Sequence, residues 1–142
     1  MPGVSGRVLV VDDSKAIRQL IRVNLELEGF EVMTAVDGAE CLEIVDRVRP
    51  DAITLDVVMP RLDGLRTAER LRADARTRDI PLAIVSACTQ AELRSERVRA
   101  ARADAFLAKP FEPVELVRVV RELLGKREGR GRLLGRAGWS PP

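Results

Sequence analysis

Apolar residues fall in five short runs along the chain, and a stretch with helical spacing follows each. The run at residues 8–11 has no polar interruption, which predicts a strand buried on both faces. Ser14 then stands where a helix N-cap belongs. Ile17, Leu20, Ile21 and Leu25 recur at helical spacing as a core face, and Gly29 ends the helix. Residues 30–35 alternate as a second strand. Asp37 and Glu40 have capping-box spacing, and Leu42, Val45 and Val48 carry the next helix to Pro50. Residues 52–55 form a third strand ending in Asp56. A turn, MPRLDG, is punctuated by Pro60 and Gly64 before a helix on Leu65, Ala68 and Leu71. Residues 81–86 are a fourth strand and 89–101 a helix with a thin apolar face, Leu93 and Val98. Residues 105–108 are a fifth strand. Pro113 suits the first turn of a last helix, whose core stripe is Leu116, Val117, Val120, Leu123 and Leu124 and which Gly125 ends.

Five strand–helix units with short apolar strands imply an α/β domain, a parallel sheet covered by helices on both faces. At 142 residues one such domain accounts for the chain. The expected organisation is an N-terminal tail at 1–6, a domain at 7–125 and a flexible basic tail or linker at 126–142. Charge divides the same way: 126–142 carries +4 and the remainder −2. There is no histidine, which excludes histidine metal sites and a histidine general base. Cys41 and Cys88 have no metal-binding spacing and read as free thiols in a reducing compartment. No signal peptide opens the chain and no apolar run approaches the roughly 18 residues of a membrane span, so a cytoplasmic, membrane-free protein is expected.

In an open α/β sheet, ligands bind beyond the carboxyl ends of the strands. The first strand ends in Asp12 and Asp13, the third in Asp56, the fourth in Ser86 and the fifth in Lys109. Any one of these reads equally as a cap, a turn residue or a solvated loop side chain. Together, three carboxylates, a hydroxyl and an ammonium on one sheet edge exceed what capping needs. Three neighbouring carboxylates call for a cation. An all-oxygen donor set without histidine or thiolate suits Mg²⁺ or Mn²⁺. Mg²⁺ combines readily with one or two carboxylates and a phosphate oxygen, and Lys109 and Ser86 supply a cation and a donor for phosphoryl oxygens. The chain lacks both GxxxxGK[ST] and a GxGxxG after the first strand, so there is no nucleotide cradle. A protein carboxylate is then the natural covalent acceptor.

VLVVDDS, AITLDVVMPRLDG, LAIVSA and AFLAKPF, in this order and spacing, resemble the receiver domain of two-component response regulators, of the chemotaxis-type single-domain size, over residues 7–125. The resemblance implies a flavodoxin-like doubly wound sheet of five parallel strands, order 2-1-3-4-5, with five helices. It implies Asp56 as phosphoacceptor and Asp13 and Asp56 as direct Mg²⁺ ligands, with Asp12 acting through water and the backbone carbonyl of Val58 as a further ligand. Lys109 pairs with the phosphoryl oxygens, Ser86 is the switch hydroxyl and Phe106 the switch aromatic, and the Lys109–Pro110 bond is cis. The phosphoryl donor is a sensor histidine kinase or phosphotransfer protein. The output is a partner protein reading the face of the fourth helix, fifth strand and fifth helix, and a dimer formed on phosphorylation is compatible with it.

Several positions depart from the commonest family pattern. Ser86 stands where Thr is usual and Phe106 where Tyr is frequent. Arg102 stands where Gly is usual, which implies strain if its backbone is left-handed. Val58 and Cys88 occupy positions that tune attacking water, and neither side chain orients water well, which implies slow self-dephosphorylation without other enzymatic activity. A phosphatase with an aspartyl nucleophile would carry DxDx[TV] after the first strand, whereas this strand ends VVDDS. A pseudo-receiver that takes no phosphate loses an acid or the lysine, and this chain keeps all five residues. No helix-turn-helix follows, so no DNA-reading output domain is expected. The arginine-rich tail reads as a solvated linker rather than a nucleic-acid contact, and Trp139 is its one aromatic residue. Arg94, Arg97, Arg99 and Arg102 read as a solvated helix face or a docking surface.

Overall fold

The structure, a computed structural model, describes residues 6–57, 63–87, 99 and 101–139, with side chains as far as Lys126. Five strands, β1 (Arg7–Val11), β2 (Glu31–Ala35), β3 (Ala52–Asp56), β4 (Leu82–Ser86) and β5 (Ala105–Ala108), form one parallel sheet in the order β2-β1-β3-β4-β5. Four helices are described: α1 (Lys15–Leu27), α2 (Gly38–Val48), α3 (Gly64–Ala73) and α4 (Pro113–Trp139). The expected helix at 89–101 lies almost wholly outside the described residues; Arg99 and Ala101, near its end, are helical.

The strands are near-continuously apolar because both sheet faces are covered. Leu9 and Val11 of β1, with Ile53 and Leu55 of β3, face Cys41 and Val45 of α2 and Leu65, Ala68 and Leu71 of α3. Val8 and Val10 point the other way, toward Ile21 and Leu25 of α1 and Leu116, Val119, Val120 and Leu123 of α4. Alternation along each strand thus feeds two separate cores. Each fully buried aliphatic side chain contributes about 1.5–3 kcal/mol relative to exposure.

The caps follow the sequence. Ser14 accepts the Ile17 amide (3.3 Å), and Asp37 accepts that of Glu40 (2.9 Å). The Glu40 carboxylate reaches back to the Val36 amide (2.7 Å), which completes the expected box one residue earlier than usual. Gly29, at φ 93°, follows the end of α1.

Two expectations are corrected. Leu20, expected in the core, is 42% exposed because it falls beside, not on, the stripe centred on Ile21 and Leu25. Gly125 does not end the last helix: α4 continues to Trp139. Gly125 has no left-handed backbone, and a helix-interior glycine costs only about 1 kcal/mol relative to Ala. Sequence also gives no sign that α2 closes on a left-handed Arg49 (φ 50°). Among the described residues no helix is long and apolar enough to cross a membrane.

Candidate functional site

Strand register builds the site. Val11 of β1 pairs with Leu55, Asp56 of β3 with Val85, and Ser86 of β4 with Ala108. The residues at and just past these positions, Asp12, Asp56, Ser86 and Lys109, therefore reach the same sheet edge on adjacent strands spaced about 4.8 Å apart. Carboxylate oxygens of Asp12, Asp13 and Asp56 all lie within 4.8 Å of one another.

Asp12 is fixed from four directions. Its amide donates to the Ala35 carbonyl (3.2 Å) and its own carbonyl accepts from Arg18 Nη1 (2.8 Å). Its Oδ1 accepts the Ser14 amide and its Oδ2 accepts Lys109 Nζ, each at 2.9 Å. Only 1% of Asp12 is exposed, whereas Asp13, the next residue, faces solvent. Lys109 Nζ also stands 3.5 Å from Asp56 Oδ1, so one ammonium bridges two carboxylates. The Lys109 amide donates to the Ser86 carbonyl (2.9 Å), and the Lys109–Pro110 peptide is cis, as the resemblance implies.

Electrostatics follow from this crowding. Burial, then the neighbouring charge of Asp12, pushes the Asp56 carboxyl above its usual pKa; Lys109 works against them and Asp13 adds to them. For Lys109, burial opposes the charge. The hydrogen bond to Asp12 and the negative charges of Asp12 and Asp56 together outweigh burial and hold the ammonium above its ordinary value. One lysine cannot neutralise three carboxylates. The all-oxygen donor set and the residual negative charge fit a hard divalent cation.

Ser86 and Phe106 lie on neighbouring strands. Ser86 is buried at the end of β4, and Phe106, in the middle of β5, is 43% exposed and so points outward. Arg102 has φ 50°, so its backbone is left-handed and the condition for strain at this position is met. Val58, Cys88, Arg94 and Arg97 lie outside the described residues. Cys41, the free thiol that is described, is buried and its pKa is pushed up to about 12 by burial, which leaves it inert.

Two positioning residues escape the sequence pattern. One is Arg18, whose bond to the Asp12 carbonyl ties the first turn of α1 to the aspartate pair. The other is Gly64, whose role as turn punctuation hides a steric one. Its amide donates to the Val57 carbonyl (2.9 Å), and a Cβ built on it would lie 2.0 Å from the Asp56 carbonyl oxygen. The DG pair before a helix was its only sequence signal. A cleft of about 700 Å³ between α1 and α4, lined in part by Leu27, Val114, Val117 and Arg121, includes none of the site residues.

Comparison with known proteins agrees with this geometry. Residues 8–121 match the family model of the response regulator receiver domain. The chain is 45% identical over 120 residues to the response regulator MprA of Mycobacterium leprae, covering 83% of this chain and 50% of MprA. It is 38% identical over 122 residues to the DNA-binding dual master transcriptional regulator RpaA of Synechocystis, covering 86% of this chain and 50% of RpaA. It thus spans about half the length of the curated relatives it matches. Among solved structures, the chemotaxis protein CheY4 of Vibrio cholerae superposes with a TM-score of 0.78 at 34% identity, covering 83% of this chain and 98% of CheY4. The sheet order, the aspartate cluster and these matches agree: the chain belongs to the response regulator receiver domain family of two-component signalling.

Proposed function

We propose that this receiver domain accepts a phosphoryl group on Asp56 from a phosphohistidine of a sensor kinase or phosphotransfer protein, and passes the signal to a partner protein. The observation that carries this reading is the ammonium of Lys109, 2.9 Å from Asp12 and 3.5 Å from Asp56, beside three clustered carboxylates. In the step, an Asp56 carboxylate oxygen attacks phosphorus in line. The O–P bond forms as the N–P bond to the donor imidazole breaks, and the imidazole keeps the electron pair. Burial, and then crowding by Asp12 and Asp13, makes Asp56 more basic than an isolated aspartate and so a better nucleophile once ionised. Mg²⁺, held by Asp13, Asp56, the Val58 carbonyl and Asp12 through water, would offset negative charge at the transferring oxygens. Lys109 neutralises one phosphoryl oxygen, and its bond to Asp12 holds it in reach beforehand.

The Ser86 hydroxyl then turns to the new phosphoryl oxygens, and Phe106 packs inward from its exposed position. The face around β5 and the helices flanking it changes shape, and a partner reads it. A dimer formed on phosphorylation is one form such a partner can take. Val58 and Cys88 leave the phosphoryl group long-lived. The decisive experiment is incubation with acetyl phosphate and Mg²⁺ followed by intact mass analysis. Wild type gains one phosphoryl mass and Asp56→Asn gains none; equal labelling of the variant refutes Asp56 as acceptor.

A further inference from the structure

At the opposite edge of the sheet from Asp56, α3 buries an arginine. The Arg72 side chain is 6% exposed. Its Nη1 donates to the carbonyls of Arg78 and Ile80, both at 2.7 Å. Its Nε and Nη2 donate to the Arg102 carbonyl at 3.3 and 3.0 Å, and Nη2 also meets Asp104 Oδ2 at 3.0 Å. That carboxylate oxygen accepts the Leu82 amide (3.0 Å), and the Asp104 amide donates to the Leu82 carbonyl (2.8 Å). Lys126 Nζ adds a bond to the Asp104 carbonyl (2.9 Å). One guanidinium therefore joins the end of α3, the loop before β4 and the segment entering β5, and Asp104 carries the link on to the first residue of β4.

The joint contains Arg102 at φ 50°, a left-handed turn that a residue with a Cβ holds only when its surroundings enforce it. Two N–H groups of Arg72 on the Arg102 carbonyl supply that enforcement. Moving the joint would break charge-assisted bonds and strand a buried guanidinium and carboxylate, which disfavours the moved state by roughly a hundredfold or more. β5 runs from this joint past Phe106 to Ala108, and Lys109 follows it.

We infer that Arg72 is a positioning residue that makes the joint at Arg102–Asp104 a fixed anchor for β5, so that the change at Ser86 and Phe106 stops short of it. The inference rests on the phosphoacceptor reading above for its switched state, but the anchor exists without it. It is read by residue-resolved amide hydrogen exchange and NMR on the whole chain, with and without Mg²⁺ and acetyl phosphate, with labelling checked by intact mass. Expected is that the Arg102 and Asp104 amides keep their protection within about twofold on phosphorylation. A tenfold loss there overturns the anchor. Should Asp56 take no phosphoryl group, the acceptor reading fails, and the anchor is judged in the free protein. There the two amides should exchange as slowly as those of β3, and tenfold faster exchange overturns it. Arg72→Lys keeps the charge but loses the planar fork. It should speed exchange at Arg102 and Asp104 at least tenfold and let the resonance shifts caused by phosphorylation spread to those two amides, at least doubling them there. A lower melting temperature with Arg102 and Asp104 shifts no larger than in wild type means a merely structural role and overturns the inference. Asp104→Asn keeps an acceptor for the Leu82 amide and carries the same readouts if Arg72→Lys fails to fold.

Discussion

Replacing Gly64 by alanine adds one methyl group, and the structure says where it lands. The new Cβ would sit 2.0 Å from the Asp56 carbonyl oxygen, 2.8 Å from its carbonyl carbon and 3.0 Å from Val57 Cα. None of these is the end of a flexible side chain: all are backbone at the end of β3, which is buried along its whole length. Ordinary contact begins near 3.4 Å, so backbone at one side must retreat by over 1 Å. Overpacking that side chains absorb costs about 1–3 kcal/mol, and here the upper end is expected, roughly 3 kcal/mol. For a domain of this size that lowers Tm by roughly 10 °C. The displaced peptide is that of Asp56, whose carboxylate, on the proposed reading, must meet both Lys109 and an incoming phosphorus. Misplacement by about 1 Å costs on the order of 100-fold in rate. The assay pairs a thermal melt with the initial rate of acetyl phosphate labelling, run well below the variant's melting temperature so that both proteins are folded. Gly125→Ala serves as the control, since nothing lies within 4 Å of a Cβ there. A Gly64→Ala protein with wild-type Tm and wild-type labelling would show that Gly64 does not position the acceptor.

Four further outcomes are expected. Thr54 is 2% exposed between Val10 and Ala83, and among the described residues its hydroxyl has no hydrogen-bond partner; Thr54→Val should stabilise by about 1 kcal/mol in urea denaturation, and a loss of stability would reveal a partner. Gly125→Ala should also stabilise, by about 1 kcal/mol, because α4 passes through it; destabilisation would mean the helix ends there. The raised pKa of Asp56 means that the folded protein binds this proton more tightly than the unfolded chain, so the ionised group lowers stability at every pH above its folded pKa. The penalty fades as pH falls through that value toward the ordinary 3.8. Asp56→Asn should therefore melt higher than wild type at pH 7 without Mg²⁺, with the gap closing in acid, and a wild type at least as stable at pH 7 contradicts this. Val58→Asn, by offering an amide to water, should shorten the phosphoryl lifetime, and an unchanged decay would count against slow loss being set there.

Much of this was legible because the signals are local. A buried parallel strand writes itself as an unbroken apolar run, and the residue after it is then committed to one sheet edge. This is why Asp12, Asp56, Ser86 and Lys109 could be placed together before any coordinates. What was not legible depends on contacts between segments distant in sequence. Arg72 reads as one more arginine on a charged helix, yet its partners Arg102 and Asp104 lie about thirty residues on. Gly64 reads as a turn residue because its clash is with Asp56, across the loop after β3. Gly125 misled for the opposite reason: glycine after a core stripe is a good stop signal only when the chain turns left-handed there, and here it does not.

The adjacent aspartates VVDDS divide their work by burial. Asp12 spends its backbone and carboxylate groups on Ala35, Arg18, Ser14 and Lys109, so it is a fixed wall of the site. Asp13 is exposed, so it is the carboxylate of the three most open to solvent. In the free domain Lys109 offsets part of the negative charge through Asp12 and Asp56, which makes the cluster tolerable without an ion. The same ammonium is shared over two carboxylates at unequal distances, 2.9 and 3.5 Å, and is not locked to Asp56. On the proposed reading, a phosphoryl group on Asp56 would therefore recruit Lys109 with a short displacement, while the Asp12 bond keeps the lysine from swinging out to solvent. Loss of that bond in Asp12→Asn should then slow acetyl phosphate labelling of Asp56, and an unchanged labelling rate would refute a holding role for Asp12.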